Sequence, residues 1–364
     1  MTITIVAGAR PNFMKIAPII EAIQKSNQSG KDIHYRLVHT GQHYDKNLSD
    51  TFFESLNIPF PDSNLEVKSG TQAEQTAAIM IGFEKELQQH PCDLVLVVGD
   101  VTSTMACTIV AKKAHIKVAH VEAGIRSGDM TMPEEINRIV TDSLTDYFFT
   151  TSEYANNNLT QLGVPDSKIY FVGNVMIDTL LKNESRFQKP ELWDQLHLEA
   201  KKYLVLTLHR PSNVDEQKQL SSMLSLITNL GKDYHIIFPV HPRTKQVLEA
   251  MHIKAPNLHF VEPLGYLEFN FLVKHALAVL TDSGGITEET TVMNVPCITL
   301  RENTERPETC ELGTNVLAGK DPEKIETAFQ TLLSGKWKNT TIPELWDGKT
   351  AERIIEHLIN IYQL

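Results

Sequence analysis

Between residues 120 and 138 the chain reads HVEAGIRSGDMTMPEEINR, a short connection that carries Glu122, Asp129, Glu134 and Glu135 together with Arg126 and Arg138. Asp100 closes the apolar run DLVLVVG, and Glu122 closes IKVAHV. Carboxyls set side by side against apolar strand ends are expected to titrate high, because desolvation and like-charge repulsion both disfavour ionisation. A carboxyl so tuned can hold or take a proton near neutral pH. His209, ending another strand and followed by Arg210, adds a group that ordinarily titrates near about pH 6.5. The same acids also have a structural explanation. Pro133 suits the first position of a helix over PEEINRIVTDSLTD, where Glu134 and Glu135 would complement the dipole and Arg138 would pair with Glu134. On that helix Ile136, Ile139, Val140 and Leu144 form the stripe expected to be buried, with Glu134 roughly opposite and Glu135 on the flank.

A second group of residues suits an anion. LTDSGGITEETTVMNVP reads strand, glycine turn and helix, with Ser283, Gly284 and Gly285 at the helix start. There the free amides and the positive dipole end fit a phosphate, although Asp and Ser are equally ordinary caps. His241, Arg243 and Arg306 could add cationic donors to a diphosphate, and Glu289, one turn along the helix, could accept from ribose hydroxyls. At the other end of the chain VAGARPNFMK lacks GxGxxG, which argues against a dinucleotide loop, but offers Arg10 and Lys15 near a helix start.

These residues need a scaffold, and the pattern supplies an α/β one. Short β-branched runs at 2–8, 33–40, 93–100, 116–122, 146–152 and 168–173 alternate with helical stretches, as do runs at 203–209, 235–241, 258–262, 278–283, 296–300 and 315–319. That spells two Rossmann-like, doubly wound domains facing a central cleft. The polar stretch 182–202 interrupts the alternation. The expected domains are 1–173 plus 348–364, carrying the acid and base groups, and 174–347, carrying the nucleotide site. In the last segment Ile354, Ile355, Leu358, Ile359 and Leu364 are expected to pack back on the first domain. Ligands of open parallel sheets bind beyond the carboxyl ends of the strands, and the informative residues follow strands at once.

Bulk properties narrow the class. With 364 residues the chain exceeds one ordinary core. Its 41% hydrophobic and 22% charged composition is that of a globular protein, and a net charge of −11 argues against a nucleic-acid or anionic-membrane surface. Cys92, Cys107, Cys297 and Cys310 show no CxxC spacing, so buried reduced thiols of a cytoplasmic protein are expected, without a metal site. Neither a secretory leader nor a membrane span is visible.

Taken in order and spacing, GARPNFMKIAPI, HTGQHYD, VVGDVTST, HVEAGIRSGD with MPEEINR, LHRPSNVD, HPRT, TDSGGITEE and TERPE resemble the non-hydrolysing UDP-N-acetylglucosamine 2-epimerases over nearly the whole chain. The resemblance implies a GT-B-like pair of Rossmann domains, no cofactor, a homodimer, and interconversion of UDP-GlcNAc and UDP-ManNAc by elimination and re-addition of UDP. It implies catalytic roles for Asp100, Glu122, Glu134 and His209. Arg10, Lys15, His241, Arg243, Ser283, Gly284, Gly285, Glu289 and Arg306 would bind UDP and substrate. Gln42, His43, Gln72, Glu135 and Arg210 would contact a second, activating UDP-GlcNAc. Two departures stand out. Gly-Ala-Arg replaces the usual Gly-Thr-Arg, and the RSGDMTMPEE loop is shorter than in many bacterial members, a form shared with relatives acting on UDP-2,3-diacetamido uronic acids. A glycosyltransferase on the same fold and a nucleotide-sugar sensor are the competing readings.

Overall fold

The computed structural model describes residues 1–41, 56, 58–214, 216–240, 248 and 255–364, apart from the side chains of residues 10, 211 and 212. The chain divides into two compact units, Met1–Lys182 with Glu344–Leu364, and Asn183–Pro343.

The first unit is built on parallel strands β1 (Thr2–Ala7), β2 (His34–His39), β3 (Ser63–Asn64), β4 (Leu94–Val98), β5 (Lys117–Val121), β6 (Tyr147–Thr150) and β7 (Ile169–Phe171), in the order β3-β2-β1-β4-β5-β6-β7. The direction of winding reverses between β1 and β4, the position where open α/β sheets bind ligands. Every residue of β4 is buried, as expected of a strand covered by helices on both faces. At about 1.5–3 kcal/mol for each buried aliphatic side chain, its five residues fix the point from which Gly99 and Asp100 emerge. The two-residue β3 was not foreshadowed by any apolar run; its Ser63 is held instead by Glu86, which also pairs with Arg36.

Helix Arg10–Gln28 buries the expected stripe of Ile16, Ile19, Ile20 and Ile23. The C-terminal helix Thr350–Tyr362 packs on it, burying Ile354, Ile355 and Leu358, while Ile359 and Leu364 remain partly exposed. Both ends of the returning segment are tied down. Trp346 is buried and donates from its indole N–H to the Thr151 carbonyl at 2.9 Å, and Lys31 donates to the Leu364 carbonyl at 2.7 Å. The unit boundaries differ from the expected 173/174 and 347/348. Helix Val175–Asn183 stays with the first unit because Asp178 accepts from the amides of Thr350 (3.1 Å) and Ala351 (2.7 Å), and Thr179 donates to the Met14 carbonyl (2.6 Å).

Helix Pro133–Leu144 begins where Pro133 predicts, but its facing is the reverse of the expected one. It buries Glu135, Asn137, Arg138, Thr141 and Asp142, whereas Ile136 and Ile139 are 45% and 37% exposed. The polar side turns inward because Glu135, Asn137, Arg138 and Asp142 each find a partner there.

The second unit holds parallel strands β8 (Tyr203–Thr207), β9 (His235–Pro239), β10 (Leu258–Val261), β11 (Ala278–Thr281), β12 (Cys297–Thr299) and β13 (Asn315–Leu317), in the order β10-β9-β8-β11-β12-β13. Its switch point lies between β8 and β11, where Thr207 pairs with Thr281 in register and their hydroxyls meet at 2.6 Å. None of the four cysteines is bridged; Cys107 and Cys297 are buried and Cys92 and Cys310 only partly so. No described helix is long and apolar enough to cross a membrane.

Candidate active site

In the first unit the chemistry gathers around the ends of β1, β4 and β5. Asn12, buried in the first turn of its helix, accepts from the amides of Gly8 (3.2 Å) and Ala9 (2.9 Å) and donates to the Val98 carbonyl (3.1 Å). It stitches the β1 turn to the end of β4, and it occupies amides that a dinucleotide loop would offer to a pyrophosphate. Gly99 follows with φ +66°, and a Cβ there would lie 3.2 Å from the Lys15 ammonium. Only glycine supplies both the backbone angle and the room. Lys15 in turn meets the buried carboxylate of Glu122 at 2.8 Å.

Glu122 is itself left-handed, with φ 71°, a conformation that costs a non-glycine residue on the order of 1–2 kcal/mol. The amides of Glu122 (3.0 Å) and Ala123 (3.1 Å) both donate to the Phe149 carbonyl and hold the bend. Strain maintained at a buried carboxylate is the kind of outlier that points to function.

Asp100 is about one-third exposed, and one of its carboxylate oxygens accepts from Nε (3.0 Å) and Nη2 (2.8 Å) of the buried Arg138. Asn137 donates to its carbonyl at 2.8 Å. The third guanidinium nitrogen of Arg138 reaches Glu135, at i−3, rather than Glu134 as expected from the sequence. Glu135 also accepts from the Ser127 amide (2.9 Å), the Ser127 hydroxyl (3.1 Å) and the Gly128 amide (3.0 Å). Burial alone would push its carboxyl up, but these amides and Arg138 hold it below the usual carboxylate range. Adjacent acids therefore have opposite settings: Glu135 anchors the 127–128 loop, and Glu134 stands exposed on the same helical turn.

Beneath Gly99 lies a fully buried support. The imidazole of His120 bonds the Asp142 carboxylate through Nδ1 (2.7 Å) and the Gly99 carbonyl through Nε2 (2.8 Å). Asp142 also receives Arg126 (2.7 Å) and the Gly124 amide (3.1 Å). Burial would raise its carboxyl, and His120 with Arg126 keeps it below its ordinary value.

In the second unit Ser283 precedes helix Gly284–Val292 but does not cap it through its side chain; its own amide donates to the Thr281 hydroxyl at 2.9 Å. The plain-cap explanation of Ser283 therefore fails, and nothing lies within 4 Å of where a Gly285 Cβ would sit. Glu289, buried in the same helix, accepts from the Tyr266 hydroxyl at 2.9 Å. Burial pushes its carboxyl up to about 7, Tyr266 pulling it down and Glu288 adding to the rise. Arg306 is buried too, and its Nε is paired with Glu288 of the glycine helix. Arg301 and Glu305 form a buried two-pronged pair at 2.7 and 2.9 Å, close beside Gly284.

At the end of β8, His209 is half exposed and its Nδ1 lies 2.8 Å from Asp282, the residue that follows β11. Arg210 donates from Nε to the Asp282 carbonyl (3.1 Å) and approaches Glu305 at 3.6 Å. Among the candidates for a second ligand, Gln72 is exposed and accepts from the Thr102 hydroxyl at 3.3 Å. Gln42, His43, His241, Arg243 and the Arg10 side chain lie outside the described residues. Sequence reasoning missed Asn12, His120, Asp142, Tyr266, Asp282 and the Arg301–Glu305 pair. Only Asp282 carried a signal, its place between a strand and the glycine turn.

Residues 25–359 match the family model described as UDP-N-acetylglucosamine 2-epimerase. A UDP-N-acetylglucosamine 2-epimerase of Methanocaldococcus jannaschii is 42% identical over 371 aligned positions, covering 98% of this chain and 99% of that one. The UDP-2,3-diacetamido-2,3-dideoxy-D-glucuronate 2-epimerase of Pseudomonas aeruginosa is 36% identical, with 99% and 100% covered. A crystal structure of the Methanocaldococcus jannaschii UDP-GlcNAc 2-epimerase in complex with UDP-GlcNAc and UDP superposes with a TM-score of 0.87 at 42% identity, over 99% of this chain and 100% of that one. The two Rossmann-like units thus fall in the GT-B-like class.

Proposed function

The chain belongs to the UDP-N-acetylglucosamine 2-epimerase family of enzymes, and from that premise we propose that it interconverts UDP-GlcNAc and UDP-ManNAc. The reaction eliminates UDP to a 2-acetamidoglucal and adds it back on the other face, and needs no cofactor. Breaking the C1–O bond builds negative charge on the diphosphate, which the amides of Gly284 and Gly285, with His209 and Arg10, offset. Glu289 takes the ribose hydroxyls. Asp100, Glu122 and Glu134 serve the two faces of C2 as proton-transfer groups, and Lys15 keeps Glu122 paired between turnovers. The observation that carries this reading is the convergence of Asp100 and the strained, Lys15-bound Glu122 at the ends of neighbouring strands β4 and β5. A second UDP-GlcNAc touching Gln72 and Arg210 remains part of the proposal, with Glu135 acting through the loop it anchors.

Two features favour a second substrate, a UDP-2,3-diacetamido uronic acid: the 36%-identical Pseudomonas aeruginosa relative of that name and the short loop that Glu135 fastens. Incubation with each sugar nucleotide in heavy water decides the matter. Deuterium at C2 of both epimers, lost in Asp100→Asn and Glu122→Gln, supports epimerisation and identifies the sugar. Absence of exchange without an acceptor points to a glycosyltransferase, and UDP binding indifferent to both substitutions points to a sensor. We place the enzyme in the cytoplasm as a homodimer, with the exposed Ile136 and Ile139 face as its contact surface.

A further inference from the structure

Asp282 is wholly buried at the switch point of the second sheet, and four hydrogen-bond donors converge on its carboxylate. The His209 amide approaches both oxygens (3.2 and 3.1 Å), the Arg210 amide and Asn213 Nδ2 reach Oδ2 (3.0 Å each), and His209 Nδ1 reaches Oδ1 (2.8 Å). Asn213, buried as well, is itself held by a bond to the Leu300 carbonyl at 3.1 Å. The carboxylate plane is thereby fixed before any ligand arrives.

We infer that Asp282 is a positioning residue, accepting the Nδ1 proton of His209 so that Nε2 alone faces the nucleotide sugar, taking up a proton there and donating it, as imidazolium, to the diphosphate. The inference rests on the proposed participation of His209 in the reaction. Its logic is that of donors and acceptors. An ionised carboxylate only accepts, so the ring nitrogen facing it must donate, and Nε2 on the far side of the half-exposed ring is left for the ligand. Burial would push the Asp282 carboxyl up, yet His209, the Arg210 amide and Asn213 hold it below its ordinary value, so it stays an acceptor. Asp282 also directly precedes Ser283, which registers the imidazole against the amides of the glycine helix.

Asp282→Asn is the discriminating substitution. The amide oxygen must remain at the Oδ2 position to serve the Arg210 amide and Asn213, which puts the –NH2 against Nδ1 and forces the opposite tautomer. We expect kcat to fall by about 100-fold or more with KM changed by less than about threefold, as for other carboxylates that orient a histidine. In a His209→Gln background the same substitution should cost less than about twofold more. The ring 15N signals of His209, assigned by their loss in His209→Gln, should show a protonated Nδ1 in the unsubstituted enzyme and a protonated Nε2 in Asp282→Asn. An unsubstituted enzyme whose neutral His209 carries its proton on Nε2 overturns the inference even if Asp282→Asn does not fold; so does an Asp282→Asn loss that adds in full to that of His209→Gln. If C2 exchange is absent with either sugar nucleotide, the proposed reaction fails, while the ring spectrum still judges whether Asp282 sets the tautomer.

Discussion

Glu134 and Glu135 are neighbours in sequence and opposites in environment, so one isosteric change at each separates catalysis from stability. Glu135→Gln removes a buried charge that accepts from Arg138, the Ser127 amide and hydroxyl, and the Gly128 amide. Charge-assisted bonds contribute about 1.5–3 kcal/mol each, and removing one partner of a buried pair costs about 3–5 kcal/mol. The glutamine oxygen keeps some of these donors and Asp100 still neutralises Arg138, so about 2–4 kcal/mol is expected. For a unit of this size that lowers the midpoint of thermal unfolding by roughly 4–16 °C. The pH dependence has a definite sign. The folded carboxyl of Glu135 is held below its ordinary value of 4.5, so its stabilisation is present above about that pH and disappears as acid protonates the folded form. The gap between wild type and Glu135→Gln should close in acid. Glu134→Gln, on an exposed side chain, should unfold within about 0.5 kcal/mol of wild type and yet abolish deuterium entry at C2. Denaturation followed by circular dichroism, with the heavy-water assay run on both variants, gives the four numbers needed. If Glu134→Gln melts early while exchanging normally, and Glu135→Gln does the reverse, the assignment of the two acids is wrong.

Three further outcomes are expected. Because burial raises Glu289 to about 7 and its ionised form is the one proposed to accept from ribose, UDP affinity should rise as pH climbs through that value; a titration calorimetry series that stays flat, or a rise that survives Glu289→Gln, removes Glu289 from the ribose site. Asp178→Ala strands the amides of Thr350 and Ala351, so it should cost about 1–2 kcal/mol and speed hydrogen exchange at those two amides, and unchanged protection would show that the helix is held elsewhere. Ile136→Glu with Ile139→Glu should turn the proposed homodimer into a monomer in sedimentation velocity at unchanged fold, and dimers that persist would place the subunit contact on another surface.

Much of the scaffold was legible because parallel strands buried on both faces write themselves as unbroken apolar runs. Twelve expected runs coincide with β1, β2 and β4 through β13, and β3 escaped because a two-residue strand has no periodicity to read. The facing of helix Pro133–Leu144 was misread for a physical reason. Amphipathic periodicity locates two sides of a helix without saying which is covered, and here Asp100, His120 and the 127–128 loop supply inward partners for Arg138, Asp142 and Glu135. Asp100 and Glu122 could be read from their places after strands, because strand ends are where a sheet delivers side chains. Asn12 and His120 could not, since each acts through bonds to residues distant in sequence, 86 positions away in the case of Asn12 and Val98.

The returning C-terminal helix has a consequence for biogenesis. The first unit is assembled from two stretches separated by the whole of the second, Met1–Lys182 and Glu344–Leu364, whereas the second is a single uninterrupted stretch. During synthesis the later half can therefore close its core while the earlier half still waits with an open seam where Trp346, Ile354 and Leu358 will lodge. A nascent chain stalled before Glu344 would hold a closed second unit and a first unit still missing the segment that seals it.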